Sequence, residues 1–245
     1  MNDTTSWPSL RLSATLLLVG QVLYIVVTQL HADGDANDHP AVFAEYAGSG
    51  IWTVVHLGQF AGMAILLAGL LALFFAVDVP AGAAGWAGRF GAAAAAATLP
   101  LYGALQAVDG VALKHAVDAW AAAPDAEKAA RFASAEAIRW LEEGMRSYQN
   151  FVLGLALVLL ATAVGRAAGI PRAMAALMGL SGLAYLAQGW VVGAQGFSRA
   201  ESVAIVVAFV LDLAWMTWLL AVAWRMHGAE PRRTAGEGVD RSDAR

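Results

Sequence analysis

The 245-residue chain contains no cysteine. Disulfides, thiolate metal sites, iron–sulfur clusters and cysteine nucleophiles are therefore excluded together. Charge is scarce as well. Asp, Glu, Lys and Arg make up 14% of the residues, against about 25% in soluble domains. The net charge of −4 is small, and no basic cluster is dense enough to bind nucleic acid. The short catalytic signatures are missing too: the sequence holds no HExxH, no GxSxG, no Walker motif and no dinucleotide fingerprint.

What is abundant is apolar. Hydrophobic residues make up 59% of the chain and the mean hydropathy is +0.59. Six apolar runs reach the roughly 20 residues that cross about 30 Å of hydrocarbon as a helix. They are Leu10–Leu30, Ile51–Val77, Phe90–Leu113, Met145–Val164, Ala173–Ala194 and Val203–Trp224. Backbone groups in lipid must pair within their own segment, so the runs read as helices. The first has Arg11 ahead of it, but its apolar core is about twice the length of a signal-peptide core, so it reads as a retained helix. The expected fold is all-α and polytopic. Residues 1–226 form a six-helix transmembrane domain, and the charged tail 227–245 is expected to be disordered.

Basic residues orient the bundle. With the N-terminus cytoplasmic, nine of the fifteen Lys and Arg fall inside (Arg11, Arg89, Arg166, Arg172, Arg225, Arg232, Arg233, Arg241 and Arg245). The loop "HADGDANDHPAVFAEYAGSG" has no Lys or Arg and is expected outside. Both termini are thus expected to be cytoplasmic, in a plasma membrane. Two outer segments carry helix signals. In "HPAVFAEYAG", Pro40 suits a first turn and Gly48 an end, with Val42, Phe43 and Tyr46 placed to rest on the membrane surface. Pro124, Asp125 and Glu127 start a second helix that runs on into the fourth span.

Polar groups at depth are the informative residues in a membrane protein, because each needs a partner. On the outer side these are His56, Gln59, Gln106, Asp109, Gln149, Asn150 and Gln188, while Gln21 and Asp212 fall near the midplane. The inner half is nearly all apolar. This asymmetry points to a polar pocket open to the outside, lined by the first seven and reached by Asp212. Asp212 must find a donor such as Gln21, a Trp indole or a substrate. Its alternative roles are a proton relay and a hydrogen-bonded structural carboxyl. His56 and Gln59 share a face at i,i+3, Tyr102, Gln106 and Asp109 follow i,i+4,i+7, and His115 pairs with Asp118 at i,i+3. Glu143 and Arg146 sit together at the outer boundary as a mutually satisfying pair.

Four histidines, His31, His39, His56 and His115, map to the outer side among carboxylates, a set that suits zinc or copper(II). A haem between His56 and His115 is a further option, since their depths match. "DGDAND" alternates Asp33, Asp35 and Asn37 as a calcium loop does, but a full EF-hand is excluded because its sixth position is Asp38 and its twelfth Ala44. GxxxG spacings at Gly58–Gly62, Gly165–Gly169 and Gly189–Gly193 offer close helix contacts.

The stretches "NDHPAVFAEYAGSGIWTVVHLGQFAG" and "YGALQAVDGVALKHAVDAWAAAP" resemble the DUF4386-like group of bacterial six-span membrane proteins. Asp38, His39, Tyr46, Trp52, His56, Gln59, Gln106, Asp109, Gly110, Lys114 and Trp140 carry the resemblance. It covers most of the chain except the tail and implies the six-helix fold but no catalytic role. Three functions stay open. The first is binding or transport of a small ligand in the outer pocket. The second is a membrane enzyme or redox protein with an outer His–carboxylate metal or haem centre, and the third is an accessory subunit. Lipid is the expected partner in each.

Overall fold

A computed structural model describes residues 6–31, 36, 38–77 and 81–225. The Asp33–Asn37 calcium motif and the tail from 227 lie outside the described residues. Among the described residues eight α-helices follow in order: α1 Trp7–Thr28, α2 His39–Gly48, α3 Trp52–Ala76, α4 Ala83–Ala107, α5 Lys114–Ala121, α6 Asp125–Val164, α7 Arg172–Gln195 and α8 Arg199–Arg225. A π-helical segment, Val108–Leu113, joins α4 to α5 without a break. Six helical stretches are long and apolar enough to cross a membrane: α1, α3, α4 through α5, α6, α7 and α8. The fold is therefore all-α and polytopic.

The spanning helices form a closed ring. Each packs against its neighbour in the chain, α1 on α3, α3 on α4, α4 on α6, α6 on α7 and α7 on α8, and α8 returns to α1. The Arg11 Nε donates to the Ala223 carbonyl at 3.0 Å, clipping the start of the first span to the end of the last. Leu17, Leu70, Tyr102, Leu153, Leu157 and Trp215 fill the interior. Val54, Leu57, Phe75, Val206 and Val210 remain exposed, as side chains facing hydrocarbon tails should.

Small residues set the closest contacts. A Cβ on Gly20 would stand 2.5 Å from the Leu66 backbone nitrogen, one on Gly62 2.8 Å from that of Tyr24, and one on Gly69 2.8 Å from that of Leu17. Along α1 and α3 the two backbones thus touch over about two turns. Gly154 and Gly182 bring α6 and α7 together in the same way, each within 2.8 Å of the other's carbonyl oxygen or closer. Of the GxxxG spacings, Gly58–Gly62 faces α1 and Gly189–Gly193 faces Ser147 on α6, whereas Gly165–Gly169 lies in the turn after α6.

α6 is 40 residues long. At 1.5 Å per residue it extends about 60 Å, roughly twice the hydrocarbon thickness. Its first half stands beside α2 and α5 at one end of the ring. There Val42, Phe43 and Tyr46 pack with Trp52, Leu113, Val117 and Ala135 in a second apolar cluster. This corrects their expected place on the membrane surface. The early half of α6 supplies a protein shelf, and burial against it removes the same apolar area from water. Asp38 caps α2 by accepting from the Ala41 amide at 3.2 Å. The Lys114 Nζ donates to the Ala47 carbonyl at 2.9 Å at the other end of α2.

Gly20→Ala is expected to destabilise the bundle by about 1–3 kcal/mol, the usual cost of forcing a methyl into a packed contact. Gly48→Ala, with nothing within 4 Å of the new Cβ, is the matched control and is expected to leave thermal unfolding in detergent unchanged.

Candidate functional site

Buried polar groups divide the ring into two halves. Toward its middle and far end they include Ser13, Thr98 and Ser181, whose hydroxyls donate to the carbonyls of Gly69, Ala94 and Met178 at 2.8–2.9 Å. At the α2 end are His56, Gln59, Gln106, Asp109, Arg139, Glu142, Gln149, Asn150, Gln188 and Glu201. A cavity of about 550 Å³ opens among them. It is walled by the last turns of α1, by Gln59 of α3, by Asp109, by the middle of α6 and by the α7–α8 turn.

The π-helical segment places the deepest carboxylate. A π turn holds an extra residue, and such turns recur at functional sites. Here the widened turn carries Asp109 against α3. The Trp52 indole donates to the Asp109 carbonyl at 3.1 Å. The Asp109 Oδ2 lies 3.1 Å from the His56 Nε2, with both side chains almost wholly buried. Gly110 makes the approach possible, since a Cβ there would stand 2.7 Å from the Cβ of His56. His31, just past α1, lays its ring against Tyr46, Trp52 and His56 at centroid separations of 5.7, 4.9 and 5.2 Å. His31, His56 and Asp109 each present one ligand atom, and the three atoms lie within 4.8 Å of one another.

The opposite wall is cationic and aromatic. Arg139 and Glu142 form a buried ion pair at 2.8 Å. The Arg139 guanidinium also lies 4.3 Å from the ring centre of Phe197, and that of Arg146 lies 6.0 Å from it. Phe197 follows Gly196, whose φ of +70° makes the turn; a Cβ at Gly196 would also meet Glu143 at 2.8 Å. Arg146 donates to the Tyr24 hydroxyl at 3.3 Å, and its Nε has no hydrogen-bond partner among the described residues. Tyr46, on the cavity wall above the membrane segments, is held protonated. Burial pushes its phenol above the ordinary value, Arg139 opposes this, and Glu142 and Asp109 add to it.

The residues expected from sequence are distributed as follows. Gln59 and Asp109 line the cavity, and His56 sits directly behind Asp109. Gln59 donates to the Thr28 hydroxyl at 3.2 Å. Gln106, Gln149 and Asn150 are buried but do not line it, and each carries a side-chain atom without a partner among the described residues. Gln188 donates to Glu201 at 2.6 Å, and it is Glu201 that lines the cavity. Asp212 is apart from it, accepting from the Tyr185 hydroxyl at 3.0 Å and the Trp215 indole at 2.9 Å. Gln21, buried, is bonded to neither.

Two histidines do not join the cluster. His39 meets Glu136 at 2.9 Å and stacks on Phe43. His115 is exposed on α5, so the four-histidine set and the His56–His115 haem site are not formed. Asp118 pairs with Lys114 at 2.7 Å rather than with His115. The buried carboxylate of α6 is Glu142, paired with Arg139, and not Glu143 with Arg146. The i,i+3 spacing of Arg139 and Glu142 was the available signal for that pair. Nothing in the sequence marked Phe197 or Glu201.

No family model matches the chain, and no curated protein or solved structure is significantly similar to it.

Removing one partner of a buried ion pair strands the other. Arg139→Ala is expected to lower stability by about 3–5 kcal/mol. The Arg139→Ala/Glu142→Ala double variant is expected to lose less than the sum of the two single losses. A double-mutant cycle in urea or by thermal unfolding reads the coupling directly.

Proposed function

We propose that the protein binds a small polar ligand with an anionic group in a cavity that opens to the outside of the plasma membrane, with both termini cytoplasmic. The observation that carries this reading is Arg146. Its guanidinium lines the cavity, and its Nε is buried without a partner among the described residues. Among the other charged residues of the wall, Glu142 meets Arg139, Asp109 meets His56 and Glu201 accepts from Gln188, while Arg199 stands exposed at the rim. A half-buried cation whose innermost donor is unused is costly in a low-dielectric setting and is relieved by a carboxylate or phosphate oxygen. Phe197, lying against both guanidiniums, shields that position from water and strengthens the attraction. Orientation follows from the loop without Lys or Arg at the cavity end and the arginine-rich opposite end.

The absence of native cysteine makes the topology directly testable. Ser202→Cys and Ile205→Cys, at the cavity wall, are expected to react with a membrane-impermeant maleimide in intact cells. Ala173→Cys, exposed at the opposite end of the ring, is expected to react only after permeabilisation. The reverse pattern would overturn the orientation. In purified protein, succinate or inorganic phosphate is expected to raise the melting temperature of the wild type but not of Arg146→Gln.

A further inference from the structure

We propose that His31, His56 and Asp109 hold a divalent first-row transition-metal ion in the wall of this cavity. The argument begins at His56. Its Nδ1 lies 2.8 Å from the Trp52 carbonyl oxygen. A carbonyl only accepts, so Nδ1 carries the hydrogen. That leaves Nε2, on a neutral ring, as a lone pair. Nε2 faces the Asp109 Oδ2 at 3.1 Å. Two acceptors at that separation repel unless a cation lies between or beside them.

A second proton on His56 is one such cation, and it would need no third group. The surroundings supply a third group. His31 brings a ring nitrogen within 4.8 Å of the other two ligand atoms, and its ring lies against Tyr46 and Trp52. The second carboxylate oxygen, Asp109 Oδ1, is buried with no hydrogen-bond partner among the described residues. Ligand atoms on one tetrahedral or octahedral ion stand roughly 3–3.4 Å apart at bond lengths near 2.0–2.2 Å. The His56–Asp109 separation already matches, and a small side-chain rotation of His31 closes the rest.

The outer shell is of the kind metal sites use. A ligating histidine ordinarily donates its other ring hydrogen to a carbonyl or carboxylate, as His56 does to Trp52. The Trp52 indole in turn holds the Asp109 backbone. Two imidazoles and one carboxylate suit zinc or iron(II) and leave coordination positions open. His31 and Asp109 both line the cavity that Arg146 lines, so those positions face the space assigned above to the ligand. One anionic group is thereby offered the ion on one side and a guanidinium on the other. The inference rests on the reading of that cavity as a binding site, but its test reads metal and not ligand.

Full-length protein carrying a streptavidin-binding tag, with no polyhistidine, is purified in detergent and its metal content measured by mass spectrometry. About one equivalent of a single divalent metal per chain is expected. Asp109→Asn and His31→Gln are each expected to cut it roughly tenfold or more, while His39→Gln and His115→Gln retain it. Both loss variants are near-isosteric, and a monodisperse elution profile confirms that the bundle is intact. After stripping with a chelator, cobalt(II) is expected to give saturable visible d–d bands in the wild type and none in Asp109→Asn. Substoichiometric metal together with no cobalt bands would overturn the proposal and leave an imidazolium–carboxylate pair. So would bands unaltered in both variants. Metal retained while the impermeant-maleimide labelling fails would fault the outward cavity alone, and the converse would fault the metal alone.

Discussion

Hydrocarbon offers no hydrogen bonds, and the whole bundle is arranged around that constraint. Wherever a polar side chain enters the ring, it must be answered by another part of the protein. Far from α2 the answer is a helix carbonyl: Ser13 donates to Gly69 on α3, and Thr98 and Ser181 donate to Ala94 and Met178 within their own helices. Asp212 is the most demanding case, since a carboxylate at mid-membrane costs about 2.5–3.5 kcal/mol even on insertion scales. Two donors from α7 and α8, Tyr185 and Trp215, close around it. That network binds two adjacent spans together and stands apart from the cavity. Its geometry is that of a fastening between helices.

At the α2 end the same constraint is met differently. Contacts there involve ionisable side chains, some within one helix and some between helices, and several polar atoms are left over. Trp52 and His56, one turn apart on α3, both meet the π-helical segment at Asp109: the indole donates to its backbone carbonyl, and the imidazole Nε2 faces its carboxylate. The contact lies within the π turn. Gly110 then removes the one Cβ that would obstruct it. This departure from α-helical geometry between α4 and α5 is thus held against α3 by tertiary contacts.

The spans were legible in the sequence because their signal is length and hydropathy, which need no knowledge of neighbours. The start of α2 at His39 was legible for a similar reason, since Asp38 and Pro40 act within one turn. The site was legible only in part. His56, Gln59 and Asp109 stand out as polar residues in apolar runs. Glu142, Arg146 and Glu201 lie near helix ends or in a charged segment, where solvent is the ordinary explanation for a charge. Their burial comes from α6 continuing beyond the membrane beside α2 and from Phe197 folding over the cavity. The π turn hid the rest. A helical wheel drawn at 100° per residue loses its register across Val108–Leu113, so spacing alone does not relate the faces of α4 to those of α5.

The two walls of the cavity make opposite demands, and this limits what it can bind. On the α6 wall, the Nε atoms of Arg139 and Arg146 both lack partners among the described residues, while Glu142 accepts from Arg139. On the α3 wall, the lone pairs of His56 and Asp109 face each other with acceptor capacity in reserve. A neutral apolar molecule would answer neither. An anion alone would satisfy Arg146 and add repulsion at Asp109. A cation alone would do the reverse. Only a cation on the histidine side together with an anion on the arginine side leaves both walls satisfied. Under the two proposals made above, the cavity is a site for two charges of opposite sign, held apart by the protein and neutral as a pair.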